Sequence, residues 1–578
     1  MYPSLSCTRR SFLKTAGAVG LLGTLRGLIP SPLWAGTATL GIKNIPPAQR
    51  FELVLEPMPF TIDGKTTTAT AINGTLPGPL LRFKEGEEVT LHVTNGLDDK
   101  HPASIHWHGI LLPSGMDGVP KVSFPGIPKG ETFTYRYRLK QSGTYWYHSH
   151  TRFQQQTGMY GPLIVDPIEP DPYGYDREYV VMLSDWTFED PDRIFSKLKM
   201  ESHYYNYQRR TAFDFFKDAS QTGFRKTLEE RLAWARMRMD PTDIADITGA
   251  TYAYLINGHS SQMNWTGLFN PGERVRLRFI NGSAMTNFDL RIPGLDMTIV
   301  QADGMNVKPF SVHEFRIAVA ETYDAIIEPK EDRAYTIFAE SFDRSGVARA
   351  TLSPRLGEEA PVPKRRPRPV RRLEDIGMAG MAMNSGHGMQ GMPHQKNMPK
   401  GNSVNVAMRA MHVESRLHEP GLGLGENGWR VLAYTDLKSL KPNEDQRPPE
   451  RELVINLTSN MERFMFSFNG KKFSEHDRPT PLFINERLRL VLVNHTMMEH
   501  PIHLHGQFME LENGSETNRP YKHTINVKPA EKLSLLLSPP PQALGKWAFH
   551  CHLLFHMEAG MFLVMQVTEK GEPKGGKA

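Results

Sequence analysis

A chain of 578 residues with 68 basic and 63 acidic side chains carries a formal charge of +5, and its two cysteines are too few for a disulfide framework. Four of the positive charges, Arg9, Arg10, Lys14 and Arg26, fall within residues 1–38, which hold no acid, so the remainder carries only +1. That removes the basic footprint expected of a nucleic-acid-binding protein, and the length exceeds one hydrophobic core and suggests three or four domains.

At the N-terminus, Thr8-Arg9-Arg10-Ser11-Phe12-Leu13-Lys14 precedes a short, moderately apolar run to Leu25. A charged start, an apolar stretch of this length and small residues beyond it predict a secretory signal over residues 1–38 rather than a membrane span. The paired arginines make it the twin-arginine type, read by the twin-arginine translocase, which exports folded proteins to the periplasm. Cleavage is expected between Trp34 and Thr39. No later segment approaches 18 consecutive apolar residues, so no span is expected in the mature chain. Cys7 leaves with the signal, and Cys551 becomes the sole thiol.

An imperfect repeat then runs through the chain. Asn73-Gly74 precedes a strand-like run ending at Asn95, Asn257-Gly258 one ending at Asn281, and Asn469-Gly470 one ending at Asn494. Each copy has a turn, a polar gap and period-2 alternation, which predicts an all-β chain of three β-sandwich domains at 39–170, 171–351 and 449–578. Two stretches depart from the pattern. Thr227 to Met239 is rich in helix formers and stops before Pro241, predicting a helical insertion over 190–245. Residues 352–448, rich in Pro, Arg and Met, read as a long linker, and the basic, proline-broken run Lys364 to Arg372 within it reads as a solvated tether.

Histidines cluster at both ends. His106 and His108, His148 and His150, His503 and His505, and His550 and His552 form His-x-His pairs, joined by His500 and His556. Residues i and i+2 of a strand share a face, so each pair presents two imidazoles side by side, as a polynuclear metal site requires. A single pair has a plain structural explanation. The combination points to a site between the first and third domains. Cys551, His556 and Met561, with one more histidine, also make the ligand set of a blue copper: two His and a Cys in a plane with a weak axial Met. A buried free cysteine is the plainer reading, but it needs no imidazoles at −1, +1 and +5.

With all four motifs in order, the chain resembles the three-domain multicopper oxidases, the laccase family, over residues 45–350 and 450–570. The resemblance implies cupredoxin-like Greek-key domains and four copper ions, one type 1, one type 2 and two type 3. It gives the type 1 ion His500, Cys551 and His556, with Met561 axial. The type 2 ion takes His106 and His503. The type 3 pair takes His108, His148 and His552 on one ion and His150, His505 and His550 on the other. Cys551 faces the blue copper while its neighbours His550 and His552 face the cluster, so electrons pass one at a time and four reduce O2 to two waters. Asp117, in Met116-Asp117-Gly118, matches the family's outer-sphere acid near the type 2 copper, against the plainer reading of a turn Asp before Gly. A second acid of some members has no match, because Met557 follows His556 and Glu558 is offset by one.

The electron donor is addressed by methionines. Met378, Met381, Met383, Met389, Met392 and Met398, with His387 and His394, lie among Gly, Asn and Pro. Soft thioethers select Cu(I), so the segment reads as capturing additional labile copper, against a spacer with incidental methionines. Met497, Met498 and Glu499 adjoin His500 and form a second candidate for substrate copper, against packing around the blue site. These features, with the signal and the helical insertion, resemble the periplasmic copper-resistance protein A group. The expected function is an O2-dependent oxidase of Cu(I) in copper resistance, served by a copper carrier. The alternatives are a laccase acting on small phenols and a copper-sequestering or copper-delivery protein with incidental oxidase activity. A nitrite reductase is disfavoured, because it needs no trinuclear His-x-His set.

Overall fold

Glu88–Asn95 alternates buried and half-exposed side chains along its length, as the period-2 sequence pattern requires of a strand with one face on a core. The computed structural model describes residues 50–379 and 404–570, so the predicted signal over 1–38 and Met381, Met383, His387, Met389, Met392, His394 and Met398 lie outside the described residues. The strands form pairs of sheets on one plan. In each of the three copies, the repeat strand (Glu88–Asn95, Val275–Asn281, Leu488–Asn494) runs parallel to the strand that opens its sandwich (Arg50–Ile62, Arg177–Thr187, Arg451–Asn460). The fold is thus mostly strand, in three cupredoxin-like sandwiches.

The residues that flagged the repeat perform the same task each time. Asn73-Gly74, Asn257-Gly258 and Asn469-Gly470 all have positive φ, and the flanking pairs Ile72–Thr75, Ile256–His259 and Phe468–Lys471 are bridged. These are two-residue hairpins whose left-handed conformation Asn and Gly accept most readily. The asparagine closing each repeat strand is a corner device: its amide donates to a carbonyl across the sandwich (Ile127, Ile317, Val527; 2.8–3.1 Å), and its Oδ1 accepts the N–H two residues on (Leu97, Ser283, Thr496; 2.8–3.1 Å).

The second sheets of the first and third domains carry the histidines. His106–His108 pairs with Gly143–His148 in one, and His500–Leu504 with Gly545–Cys551 in the other. The helical insertion consists of Pro191–Met200, Ala212–Thr222 and Phe224–Met237. Asp190 caps the first by accepting from Arg193 N, Thr211 and Asp214 form a capping box on the second, and Arg238 ends the third in a left-handed conformation (φ 55°). Among the described residues, no helix is long and apolar enough to cross a membrane.

The predicted solvated tether is corrected. Arg366 donates to Glu340 Oε2 (2.9 Å) and Glu314 Oε2 (2.8 Å), Arg368 donates to Asn206 Oδ1 (3.0 Å), and Arg371 is only 2% exposed. The physical reason lies in the second domain, whose sheet buries Asp289, Glu314 and Glu340, and buried carboxylates must find cations. Met378 also differs from a labile ligand on a loose segment. It is 1% exposed and belongs to the hydrophobic core with Leu373 and Ile376.

Candidate metal centre

His500 starts one strand, Cys551 ends its neighbour, and the short helix Leu554–Glu558 brings His556 back beside them. Cys551 Sγ lies 3.5 Å from His500 Nδ1 and 3.8 Å from His556 Nδ1, and the two nitrogens are 3.2 Å apart. A first-row ion with bonds of about 2.0–2.3 Å in a trigonal plane needs ligand atoms roughly 3.5–4 Å apart, so the triangle is close to the size of an ion. The other ring nitrogens are held by side chains: His500 Nε2 lies 2.7 Å from Thr496 Oγ1, and His556 Nε2 lies 2.7 Å from Asp246 Oδ2. Met561 is fully buried, its N–H donating to His556 O and its carbonyl accepting from Cys551 N.

The other eight imidazoles meet between the first and third domains. Donor atoms of His108, His148 and His552 lie within 4.8 Å of one another, as do those of His150, His505 and His550, and those of His106, His503 and His505. Here Nδ1 is the tethered nitrogen. His106 donates to Asp117 O (2.9 Å), His148 to Ser149 O (2.9 Å), His503 to His523 O (2.7 Å) and His550 to Cys551 O (2.9 Å). His505 Nδ1 donates to the carboxylate of Asp117 (2.9 Å), whose other oxygen is 3.3 Å from His106 Nδ1. Each tether fixes a tautomer and turns a bare Nε2 inward.

Those inward nitrogens test whether the residues fit copper. Nε2 of His106, His148, His503 and His552 and both nitrogens of His108 are buried without a hydrogen-bond partner. An orphaned buried polar atom costs about 1–3 kcal/mol, and its repetition over one small volume is explained when lone pairs converge on cations. Burial holds the imidazoles of His108, His148, His150, His500, His503, His505 and His552 well below the usual histidine range, so they are neutral and ready to ligate. Burial also pushes the Cys551 thiol up, and a bound cation reverses this by stabilising the thiolate. A soft thiolate with two imidazoles, beside an imidazole cluster, is a donor set for copper.

Asp117 depends on a glycine. At Gly118 (φ +79°) a Cβ would lie 1.8 Å from Ile105 O, so the turn carrying the carboxylate under His106 and His505 closes only without a side chain. Cys551 ties the two donor sets together, since it ends the strand whose residue 550 faces the cluster and immediately precedes His552.

Known families agree with this geometry. Multicopper oxidase family models match residues 55–170, 177–354 and 446–571. The chain is a multicopper oxidase. It is 48% identical over 592 residues to a copper resistance protein A homolog of Pseudomonas syringae pv. tomato, covering 97% of this chain and 99% of the relative. It is 47% identical over 616 residues to copper resistance protein A of Escherichia coli, covering 98% and 100%. Among solved structures, Fet3p, a multicopper oxidase that functions in iron import, superposes with a TM-score of 0.64 at 19% identity and 90% coverage of both chains. A laccase from Botrytis aclada gives 0.62 at 20% identity, covering 94% of this chain and 91% of the laccase. At these identities the two structures speak to the fold alone.

Three residues of the oxidase's centre were not legible beforehand. Asp246, on the loop after the helical insertion, reaches His556 from another domain. Its carboxyl is raised to about 7 by burial, although the imidazole facing it is depressed to about 3. An ion on Nδ1 would leave the ring proton on Nε2, where it would donate to the Asp246 carboxylate 2.7 Å away. Thr496 gave no signal, being one small polar residue after a strand. His523 stands outside any His-x-His pair, yet its donor atom lies within 4.8 Å of those of His108 and His503.

The residues before His500 lie differently from an accessible copper-binding cluster. Met497 and Met498 are buried at 1% and 2% exposure. The Glu499 carboxylate accepts from Arg316 Nη1 (2.9 Å) and Asn526 Nδ2 (2.8 Å), and Arg371 lies 4.0 Å away. Its charge is already answered by arginines, which depress its pKa despite the opposing effect of burial. Glu558, the offset acid, lies 3.5 Å from Arg152 Nη1 and is raised by burial.

Proposed function

We propose that this oxidase converts cuprous to cupric ion at the expense of O2, and so serves copper resistance in the periplasm after export by the twin-arginine translocase. Four Cu(I), one O2 and four protons give four Cu(II) and two waters. The observation that carries the reading is the pairing of two intact donor sets, joined through Cys551, in a chain 47–48% identical along its length to copper resistance protein A. Copper bound in these sets supplies one-electron redox steps at the thiolate site and reduction of O2 at the cluster.

The chain's residues have the following roles. His500, Cys551 and His556 hold the type 1 ion, with Met561 axial. His106 and His503 hold the type 2 ion, and the two sets of three hold the type 3 pair. Cys551 gives electrons a short covalent route to His550 and His552. Asp117 orients His106 and His505 and keeps a carboxylate against the cluster, where protons are consumed. Because Glu499 is neutralised and Met497 and Met498 are enclosed, capture of substrate copper falls to the Met-rich segment beyond Met378, with Met381, Met383, His387, Met389, Met392, His394 and Met398 as soft donors.

The test is O2 uptake with Cu(I) and with a phenol, for the full chain and for one lacking 380–399, a deletion that spares the buried Met378. The expected result is a several-fold rise in KM for Cu(I) with the phenol rate unchanged. Cu(I)-dependent uptake no faster than the protein-free reaction, alongside brisk phenol turnover, would replace this reading with that of a phenol-oxidising laccase. An unchanged KM would remove the Met-rich segment from substrate capture.

A further inference from the structure

The buried ion pairs beneath the connecting segment do not balance. Arg291 faces Glu314 and Glu340, Arg316 faces Asp289 and Glu499, Arg344 faces Asp289 and Glu340, and Arg366 faces Glu314 and Glu340. Arg371 joins them only through Glu499, 4.0 Å away. Among the described residues the network is thus five guanidiniums on four carboxylates, and every member except Arg366 is at most 6% exposed. A buried charge left over in this way is costly.

The excess falls on Arg371. Its Nε and Nη2 are buried without a hydrogen-bond partner. Arg344 Nε and Arg366 Nη2 also lack one, but they lie 3.7 Å from Glu340 and 2.6 Å from Glu314. The Glu499 oxygen nearest Arg371 already accepts from Arg316 Nη1 (2.9 Å), and its other oxygen accepts from Asn526 Nδ2 (2.8 Å). Burial draws the pKa of Arg371 down to about 10, whereas that of Arg316 is raised, against the same burial, by Asp289 and Glu499.

Arg371 and Glu499 line a cavity of about 550 Å3, walled further by Arg372, Lys528 and the loop 421–427. No free acid stands there to supply the missing charge. Asp375 accepts from Arg372 N (2.7 Å), Glu419 pairs with Arg416 (2.6 Å), and Lys528 has Glu531 (3.4 Å). Residues 380–403, which separate the two stretches of this wall in sequence, contain no Asp or Glu. Nε and Nη2 lie on one edge of a guanidinium, the edge that donates two parallel hydrogen bonds to a single oxyanion.

We propose that this cavity binds a small oxyanion (sulfate, phosphate or a carboxylate) on the Nε and Nη2 edge of Arg371, as the fifth negative group of the network. The site lies outside both copper donor sets and does not depend on which substrate the oxidase takes.

The test is titration calorimetry of the copper-loaded full chain with sulfate, inorganic phosphate and acetate at constant ionic strength, beside R371M and R371K. One anion per chain should bind saturably. R371M should weaken it at least about tenfold, the loss of hydrogen bonds to a charged group, and R371K should fall between, since an ammonium keeps the charge without the fork. Preference for sulfate and phosphate over acetate identifies an inorganic anion, and the reverse order a carboxylate; either supports the site. No saturable binding of any of the three overturns the proposal and leaves water as the partner of the buried nitrogens. A loss smaller than tenfold in R371M also overturns it, placing the anion on copper or elsewhere. If R371M does not fold, wild-type crystals soaked in selenate decide: anomalous selenium within hydrogen-bond reach of Arg371 supports the site, and its absence there overturns it.

Discussion

The thiolate triangle and the imidazole cluster are built with opposite ends of the same side chain. In the triangle Nδ1 points at the ion position and Nε2 is held by side chains, Thr496 and Asp246. In the cluster Nε2 points inward and Nδ1 is held mostly by backbone carbonyls, of Asp117, Ser149, His523 and Cys551. A carbonyl acceptor moves only when the fold moves, whereas a side-chain acceptor can be exchanged one residue at a time. The imidazole cluster is therefore secured by the architecture, whereas the thiolate triangle keeps two exchangeable partners, which under the proposed function would tune its potential.

The most severe way to break the comparison is to cut the link between the regions. Cys551→Ser is expected to abolish the strong blue absorption and all oxidase turnover; residual O2 uptake above the background rate would remove Cys551 from the electron route. Acid should next expose the cost of burying so many imidazoles. Ten of them, two at the triangle and eight at the cluster wall including His523, are depressed below their usual value chiefly by burial. Below about pH 6.5 these groups take up protons when unfolded and stay neutral when folded, so the stability of the metal-free chain falls as pH falls. The carboxyls that burial raises, Asp185, Asp243, Asp246, Glu314, Glu531 and Glu558, work the other way but are six groups against ten. The melting temperature of the apoprotein should drop from pH 7 to pH 5 on a slope steeper than the roughly 1.4 kcal/mol per pH unit of a single group. A flat profile would contradict the neutral, pre-formed cluster.

Smaller changes sharpen the contrast. Asp117→Ala removes the carboxylate tether of the cluster, and O2 turnover should fall about 10–100-fold with the blue absorption unchanged; equal loss of the blue band would show that the two regions are not independently held. Asp246→Asn takes a carboxylate acceptor from His556 and weakens the imidazole as a donor. The reduction potential should rise by on the order of 60 mV, a tenfold change for one electron. Thr496→Val removes a neutral acceptor from His500 and should shift the potential in the same direction by less. Redox titration of the blue band measures both, and a fall in potential for Asp246→Asn would reverse the assigned role.

Much of this was readable from the chain. The three Asn-Gly turns and the asparagines closing the repeat strands are local devices whose chemistry is written in adjacent residues, and the His-x-His pairs follow directly from strand periodicity. Asp246 and His523 were not readable because they act across tens to hundreds of residues, and Thr496, only four residues before His500, carries no periodic or compositional mark. The basic run at 364–372 misled for a related reason. Its composition is that of a solvated segment, and only the sheet beneath it reveals buried carboxylates awaiting cations. Met378 reads as part of a soft-donor tract, yet its position after Ile376 makes it a core residue.

Arg366 pairs with Glu314 and Glu340 from beyond the last strand of the second sandwich, Val347–Ser353. Within the same sandwich Arg291 already faces both carboxylates (3.2 Å to each) and Arg344 faces Glu340, so Arg366 is a late addition to a cluster that the sandwich begins by itself. A chain truncated before residue 366 would keep those internal pairs and lose one cation from a buried cluster, so the connecting segment acts as a clasp on the middle sandwich.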